Sequence, residues 1–324
     1  MAINNNINFA KGVLIMFVVW GHLLPGAYMP ILLGEQELNL RGCIYLFHMP
    51  IFFYISGYLL NSKKFNKVLM IEKCKFFMGI FLLSSITYLF LFGSSARQFL
   101  LIFSSPYNHL WYIEVLTIFF VVTYFINVNV KHLYWIVPMA VIATMLRDMG
   151  SLQWLRSFGY KPIFRGAEYF LYFYLGILTT NYAGFKSFTL KQAILLFLIG
   201  IVLVVNDFQV GLYDDLSLYV GYSLGFVALN ISISMFFYKF ISGKNHKENV
   251  IGLIGKKALF IYLWHYAFCI VAVELGRRYL LWFELTYMST FALALLITFI
   301  LFFVHELFPF RRFFLMKYIG IQNR

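Results

Sequence analysis

Charge is what this sequence has least of. Only 12% of its 324 residues are Asp, Glu, Lys or Arg, against about a quarter in a soluble domain. Thirteen acidic residues cannot clothe a water-soluble fold of this length, so a soluble enzyme is excluded. Cysteine is scarce as well. Cys43, Cys74 and Cys269 stand apart among apolar runs, which argues against a disulfide framework or a cysteine-based metal cluster and for three small buried thiols. No two histidines or carboxylates sit at i, i+3 or i, i+4 spacing with a third ligand nearby, so no metal is expected. The G-x-S-x-G elbow of a serine hydrolase is absent, and so is a glycine-rich phosphate loop. No long polar insert, internal repeat or low-complexity tail interrupts the chain, and residues 1–324 read as one membrane domain. A charged leader followed by a small-residue cleavage site is also missing, so the first apolar run is expected to stay as a permanent span.

Hydrophobic runs are what the sequence has in abundance. Hydrophobic residues make up 62% of it, in runs of roughly 17–25 residues, each able to cross ~30 Å of hydrocarbon as a helix. In lipid the backbone must satisfy its own hydrogen bonds, and the strict alternation of a transmembrane β-barrel is lacking. The expectation is an all-α integral membrane protein, a bundle of about ten transmembrane helices. They are placed near 9–29, 42–61, 76–93, 109–127, 133–146, 168–182, 192–206, 216–240, 251–274 and 281–305. The longest irregular piece is "RDMGSLQWLRSFGYKPIFRGA", before the sixth. With the N-terminus inside, the inner loops and tail hold fifteen Lys and Arg residues against eight outside, and the acidic residues lean outward. Basic residues collect on the cytoplasmic side, so the expected orientation is N-in and C-in. The net charge of +13 is then mostly a collar of inner loops rather than a nucleic-acid surface.

Polar groups at membrane depth are costly and therefore informative. "NFAKGVLIMFVVWGH" places Lys11 and His22 eleven residues apart, which returns them to nearly the same helix face, about 16 Å apart along the axis. Lys11 near a helix end can snorkel to the surface; His22, read as lying in the middle of the span, needs a hydrogen-bond partner. "FHMPIFFYISGYLL" contains His48 and then Pro50, which removes a backbone donor and is expected to kink the helix near His48. Ser56 and Gly57 suit close helix packing. Arg41 precedes this span. The basic loop "NSKKFNKVLMIEKCK" that follows either sets topology or receives a phosphate-bearing cytosolic ligand through Lys63, Lys64 and Lys67. Glu114 in the fourth span orients His22, counters Arg41 or carries a second proton. Trp111 and Tyr112 read as an interfacial aromatic anchor. His265 is a lesser candidate, Glu168 and Glu284 read as interfacial, and His109, His132, His246 and His305 need no special role.

"AKGVLIMFVVWGH" followed by "FHMPIFFYISGYLL" resembles the opening of the acyltransferase-3 family of integral membrane acyltransferases. "HLWYIEVL" and "IYLWHYAF" are further echoes. The family's first-span pattern is a basic residue, ten residues, then histidine, here Lys11 and His22. Arginine is commoner at the first place, and the lysine resembles the fucose-4-O-acetylase and intercellular-adhesin branch. The basic loop lacks an arginine pair that some relatives carry. The resemblance implies about ten spans in a bacterial inner membrane, acetyl-coenzyme A as cytosolic donor, and a sugar hydroxyl of a surface glycan or a lipid-linked precursor as acceptor. On that reading His22 and Glu114 are catalytic, and Lys11, Lys63, Lys64 and Lys67 hold the donor. Arg41 and His48 bind substrate. The oligomeric state stays open, a homo-oligomer included. The rival class is a polytopic transporter or flippase for a sugar or glycolipid, which ten spans with buried polar groups would also fit. Against it, no pair of Gly- or Pro-broken spans stands in matching halves.

Overall fold

The computed structural model describes residues 4–24, 40–60, 65–92, 103, 109–126, 128–148, 161–181, 189–210, 216–279 and 287–307. Every regular element among them is helical. The α-helices are α1 (Asn5–Leu23), α2 (Leu40–Tyr58), α3 (Lys67–Leu91), α4 (Trp111–Phe125), α5 (Leu133–Asp148), α6 (Lys161–Asn181), α7 (Leu190–Val210), α8 (Leu216–Ser242), α9 (Val250–Lys256), α10 (Ala258–Tyr279) and α11 (Tyr287–Leu307). By length and composition α1, α3, α10 and α11 can cross a membrane, as can Val220–Ser242 within α8; Trp111–Phe125, Val130–Leu146 and Leu190–Val204 are shorter apolar helices.

Local chemistry explains where these boundaries depart from expectation. Asn4 caps α1, its side chain accepting from the Asn6 N–H. The helix ends at Leu23 because Leu24 is extended, with ψ 145°. Pro25 follows, and the residue before a proline avoids the helical region. His22 therefore sits in the last turn of α1 and not in the middle of a longer span. Asn66 caps α3, with its side chain 2.9 Å from the Leu69 nitrogen, so that helix opens well before residue 76. The expected span 251–274 is two helices. Asn249 caps α9, which stops at Lys256, and α10 begins at Ala258. Gly252 and Gly255 weaken helix propagation there. Residues 161–167, expected to be irregular, open α6; Pro162 is tolerated because first-turn N–H groups have no helical acceptor. α2 remains helical through Pro50.

Contacts divide the chain into two compact units, residues 1–48 with 240–324, and residues 49–239. In the first unit α1 packs on α9, α10 and α11, and α10 packs on α11. Leu14, Ile15, Val18, Val19, Ile261, Ile297 and Leu301 are buried there. The α1–α9 crossing brings backbone against backbone. A Cβ on Gly255 would be driven into the Asn8 carbonyl and would stand 2.7 Å from the Gly12 nitrogen.

Three consecutive asparagines fasten the start of α1 to the end of α8 and the segment after it. Asn4 Nδ2 donates to the Ile241 carbonyl at 2.6 Å. Asn6 Nδ2 donates to the carbonyls of Phe240 and Lys244 at 3.0 Å each, and the His246 N–H donates to Asn6 Oδ1 at 3.0 Å. Asn5 adds bonds to Asn245 and His246 in an exposed position. Asn6 is fully buried, so Asn6→Ala removes three hydrogen bonds that tie α1 to the segment ending α8, while the Phe240 carbonyl keeps the Gly243 N–H at 3.3 Å. The expected loss is about 1–3 kcal/mol, read as a lower thermal midpoint in detergent and faster tryptic cleavage at Lys244. Asn5→Ala, on the exposed side, is expected to change either readout much less.

In the second unit α4 packs on α3 and α6, and α5 packs on α6. Phe53 is the hub of an aromatic core, with ring centroids 4.6 Å from Tyr112, 5.1 Å from Phe119 and 5.3 Å from Tyr169. Gly57 meets the Phe173 backbone with no room for a Cβ, the close packing its size suggested. His132 ties the turn before α5 to the Tyr174 hydroxyl at 2.9 Å.

Candidate active site

α1, α2 and α10 each bring an imidazole to one place in the first unit. His22 comes from the last turn of α1, His48 from α2 and His265 from α10. The His22 ring lies 5.0 Å from that of His265 and 5.3 Å from that of Tyr266, centroid to centroid. Tyr45 holds the other side, its ring 4.9 Å from His48 and its hydroxyl 3.5 Å from His22 Nδ1. The three histidines differ in access. His265 is 0% exposed and His48 3%, while His22 is only half-buried.

Hydrogen bonds determine two of the tautomers. His265 Nδ1 stands 2.8 Å from the Tyr262 carbonyl and 3.2 Å from that of Ile261. His48 Nδ1 stands 2.5 Å from the Ile44 carbonyl. A carbonyl only accepts, so each Nδ1 carries a hydrogen and each neutral ring keeps its lone pair on Nε2. Both rings are thus clamped to their own helices with Nε2 as the acceptor nitrogen. His22 is the most accessible of the three rings, which suits it to exchange a proton with a ligand.

Lys11 lies on the same face of α1 as His22, about 16 Å away along the axis. It is half-buried, and among the described residues it has neither a salt bridge nor a hydrogen bond. Two other lysines of the unit are paired with carboxylates. Lys256 pairs with Glu248, and Lys257 with Glu306 at 2.7 Å. An ammonium left without an anion in a mostly apolar helix suits an anionic ligand.

In the second unit Glu114 sits in the first turn of α4, 8% exposed, and its Oε2 has no hydrogen-bond partner among the described residues. Lys67 is exposed at the start of α3. Lys63, Lys64 and Glu284 lie outside the described residues, as does the Arg41 side chain. The structure thus gathers Lys11, His22 and His48 in one unit and places Glu114 and Lys67 in the other.

Several expectations are corrected. Tyr112 is no interfacial anchor; it is buried, its hydroxyl 2.8 Å from Ser56 Oγ, because the aromatic core closes around it. Glu168, expected at an interface, is 1% exposed, because α6 is enclosed on nearly every face from Glu168 to Thr179. Hydropathy alone does not separate a helix wrapped by protein from one facing lipid. His109 is buried against the Tyr88 ring at 5.2 Å rather than idle at a span end. Cys269 is buried, Cys74 intermediate and Cys43 exposed, so the thiols are not uniformly core residues. His265 ranked low and Tyr45 and Tyr266 went unnoticed. The available signals were a histidine deep in the apolar run "IYLWHYAF" and the i, i+3 spacing of Tyr45 and His48, and neither says which helices meet.

Comparison with curated proteins and with solved structures returns no significant match to either. The model of the acyltransferase domain family matches residues 4–307, running through both units and every residue of the imidazole cluster. That match spans most of a chain whose described elements are all helical, and this protein belongs to the acyltransferase-3 family.

Proposed function

We propose that this membrane acyltransferase is an O-acetyltransferase. It moves an acetyl group from cytosolic acetyl-CoA to a hydroxyl of a cell-surface polysaccharide or its lipid-linked precursor. It lies in a bacterial inner membrane with about ten spans, N-in and C-in. The observation that carries this reading is the half-buried His22 ring on the same helix face as Lys11, a lysine with no anionic partner among the described residues.

Acyl transfer from a thioester to an alcohol needs a base as the oxygen attacks. Histidine suits this because its ordinary pKa lies near operating pH. His22 takes the hydroxyl proton while the oxygen adds to the thioester carbonyl. The carbon–sulfur bond then breaks, the thiolate leaves, and the imidazolium returns a proton to it. An ester and free coenzyme A are the products. Lys11 lies along the donor's path toward its phosphates, with Lys63, Lys64 and Lys67 as further point charges. Glu114 acts as a second proton carrier, and Arg41 and His48 bind substrate.

Purified protein incubated with acetyl-labelled acetyl-CoA and a polysaccharide fraction tests the reading. Alkali-labile label on the glycan is expected. Sugar uptake into vesicles with no chemical change would replace the enzyme with a transporter. A Lys11→Gln variant is expected to raise KM for acetyl-CoA on the order of tenfold or more, the worth of a charge-assisted hydrogen bond. KM for acetyl-pantetheine, which lacks the nucleotide, should stay put. Lys67→Gln, at an exposed position, is expected to move KM for acetyl-CoA by no more than about threefold.

A further inference from the structure

We propose that Tyr45 is a positioning residue for His22: its hydroxyl oxygen accepts the Nδ1 hydrogen and leaves Nε2 as the atom that takes the substrate's proton. This rests on the reading of His22 as the base. The Tyr45 hydroxyl stands 3.5 Å from His22 Nδ1, and the two rings meet edge-on with centroids 6.1 Å apart. A neutral imidazole has one N–H and one lone pair. Were the hydroxyl to donate to Nδ1, that lone pair would be occupied. The ring hydrogen would then sit on Nε2, and His22 would have no nitrogen left to act as a base. The contact and the base role agree when Nδ1 carries the hydrogen. The imidazole is then the donor and the tyrosine oxygen the acceptor, which holds both the ring and its tautomer.

A glycine fixes where that oxygen lies. A Cβ on Gly21 would stand 3.1 Å from Tyr45 Cε2 and 3.4 Å from Ile44 Cγ2. The tyrosine ring therefore rests against the backbone of the same turn that carries His22. It also meets the His48 ring edge-on, at 4.9 Å and 89°. From α10 the Tyr266 ring stands edge-on to His22, at 5.3 Å and 86°, and limits how far the imidazole can swing. A hydroxyl suits the place, because a neutral acceptor avoids the penalty of a carboxylate buried inside a span. At 3.5 Å the bond is long. It shortens as positive charge builds on the ring, since charge-assisted hydrogen bonds are the shorter and stronger ones. No proton passes to Tyr45. The acceptor's proton goes to Nε2 and from there to the leaving thiolate.

Two substitutions reach the same oxygen by different routes. Tyr45→Phe removes it and keeps the ring. Gly21→Ala keeps it and displaces it, because the ring must give way by a few tenths of an ångström. The assay uses the full-length protein in detergent with labelled acetyl-CoA and the polysaccharide fraction that wild type labels. Tyr45→Phe is expected to lower kcat on the order of tenfold to a hundredfold, the worth of a hydrogen bond to a charged group. KM for acetyl-CoA should stay within about twofold of wild type. Gly21→Ala is expected to lower kcat about threefold to tenfold, as small misplacements do. Its thermal midpoint should stay near that of wild type, since alanine favours the helix. The double variant should match Tyr45→Phe within about twofold, because no oxygen remains to be displaced. Losses that multiply in the double variant overturn the proposal, and so does a Tyr45→Phe protein with the kcat of wild type. A raised KM at unchanged kcat makes Tyr45 a substrate contact and also overturns it. If Tyr45→Phe does not fold, Gly21→Ala decides alone: wild-type kcat sinks the proposal, and a lower kcat with KM and thermal midpoint kept supports it. Should wild type transfer no label, the chemistry assigned to His22 fails and this proposal with it; an active wild type beside an unimpaired Tyr45→Phe loses only the positioning role.

Discussion

Acyl transfer is expected to disappear in His22→Ala, with the protein still folded in detergent. Removing a positioned general base costs typically 10²–10⁴-fold, and in the proposed mechanism the same ring also reprotonates the leaving thiolate, so the upper part of that range is expected. The fold should survive. His22 is half-buried in the last turn of α1, and the packing of that helix is carried by Leu14, Ile15, Val18 and Val19. Its hydrogen bond with Tyr45 is long, at 3.5 Å. KM for acetyl-CoA should move little, because Lys11 is untouched. The check is kcat on monodisperse protein with a thermal midpoint near that of wild type. Full activity in a folded variant would remove His22 as the base and the mechanism built on it.

No folded protein is expected from Gly255→Ala. The added methyl would meet the Asn8 carbonyl and the Gly12 nitrogen, which are backbone atoms of α1 and cannot rotate aside. The two helices would have to separate along the crossing that fastens α9 to α1, and packed interiors do not absorb such a shift cheaply. The expected destabilisation is about 4 kcal/mol or more, at the far end of single-residue effects. Gly79→Ala is the matched control. That glycine lies exposed within α3 with nothing within 4 Å of the new methyl, so alanine should stabilise slightly, by about 0.5–1 kcal/mol. Yield and thermal midpoint of both variants in one detergent settle the matter. A well-folded Gly255→Ala protein would show that α1 and α9 do not meet backbone to backbone at this crossing.

Sequence reading succeeded where the physics is local or periodic. Long apolar runs announce helices because an isolated backbone in lipid has no other partner. The shared face of Lys11 and His22 follows from the pitch of a helix. Caps are legible in the sequence too: Asn4, Asn66 and Asn249 each close a helix start, and Pro25 explains why α1 stops early. The failures at Tyr112 and Glu168 have a common origin. Composition reports how apolar a helix is, while burial depends on how many neighbours surround it.

By itself the sequence determined that this chain is a helical membrane protein whose first helix carries a lysine and a histidine on one side, and its opening motifs pointed to its family. Those features depend on residue type and spacing within single segments. Only the tertiary structure decided that the imidazole of α1 meets the imidazole of α10, that Gly12 and Gly255 come together, and that Lys256 and Lys257 have carboxylate partners while Lys11 has none among the described residues. Contacts between helices far apart in the chain come from side-chain shape and close packing across an interface, and no periodicity within one segment encodes them.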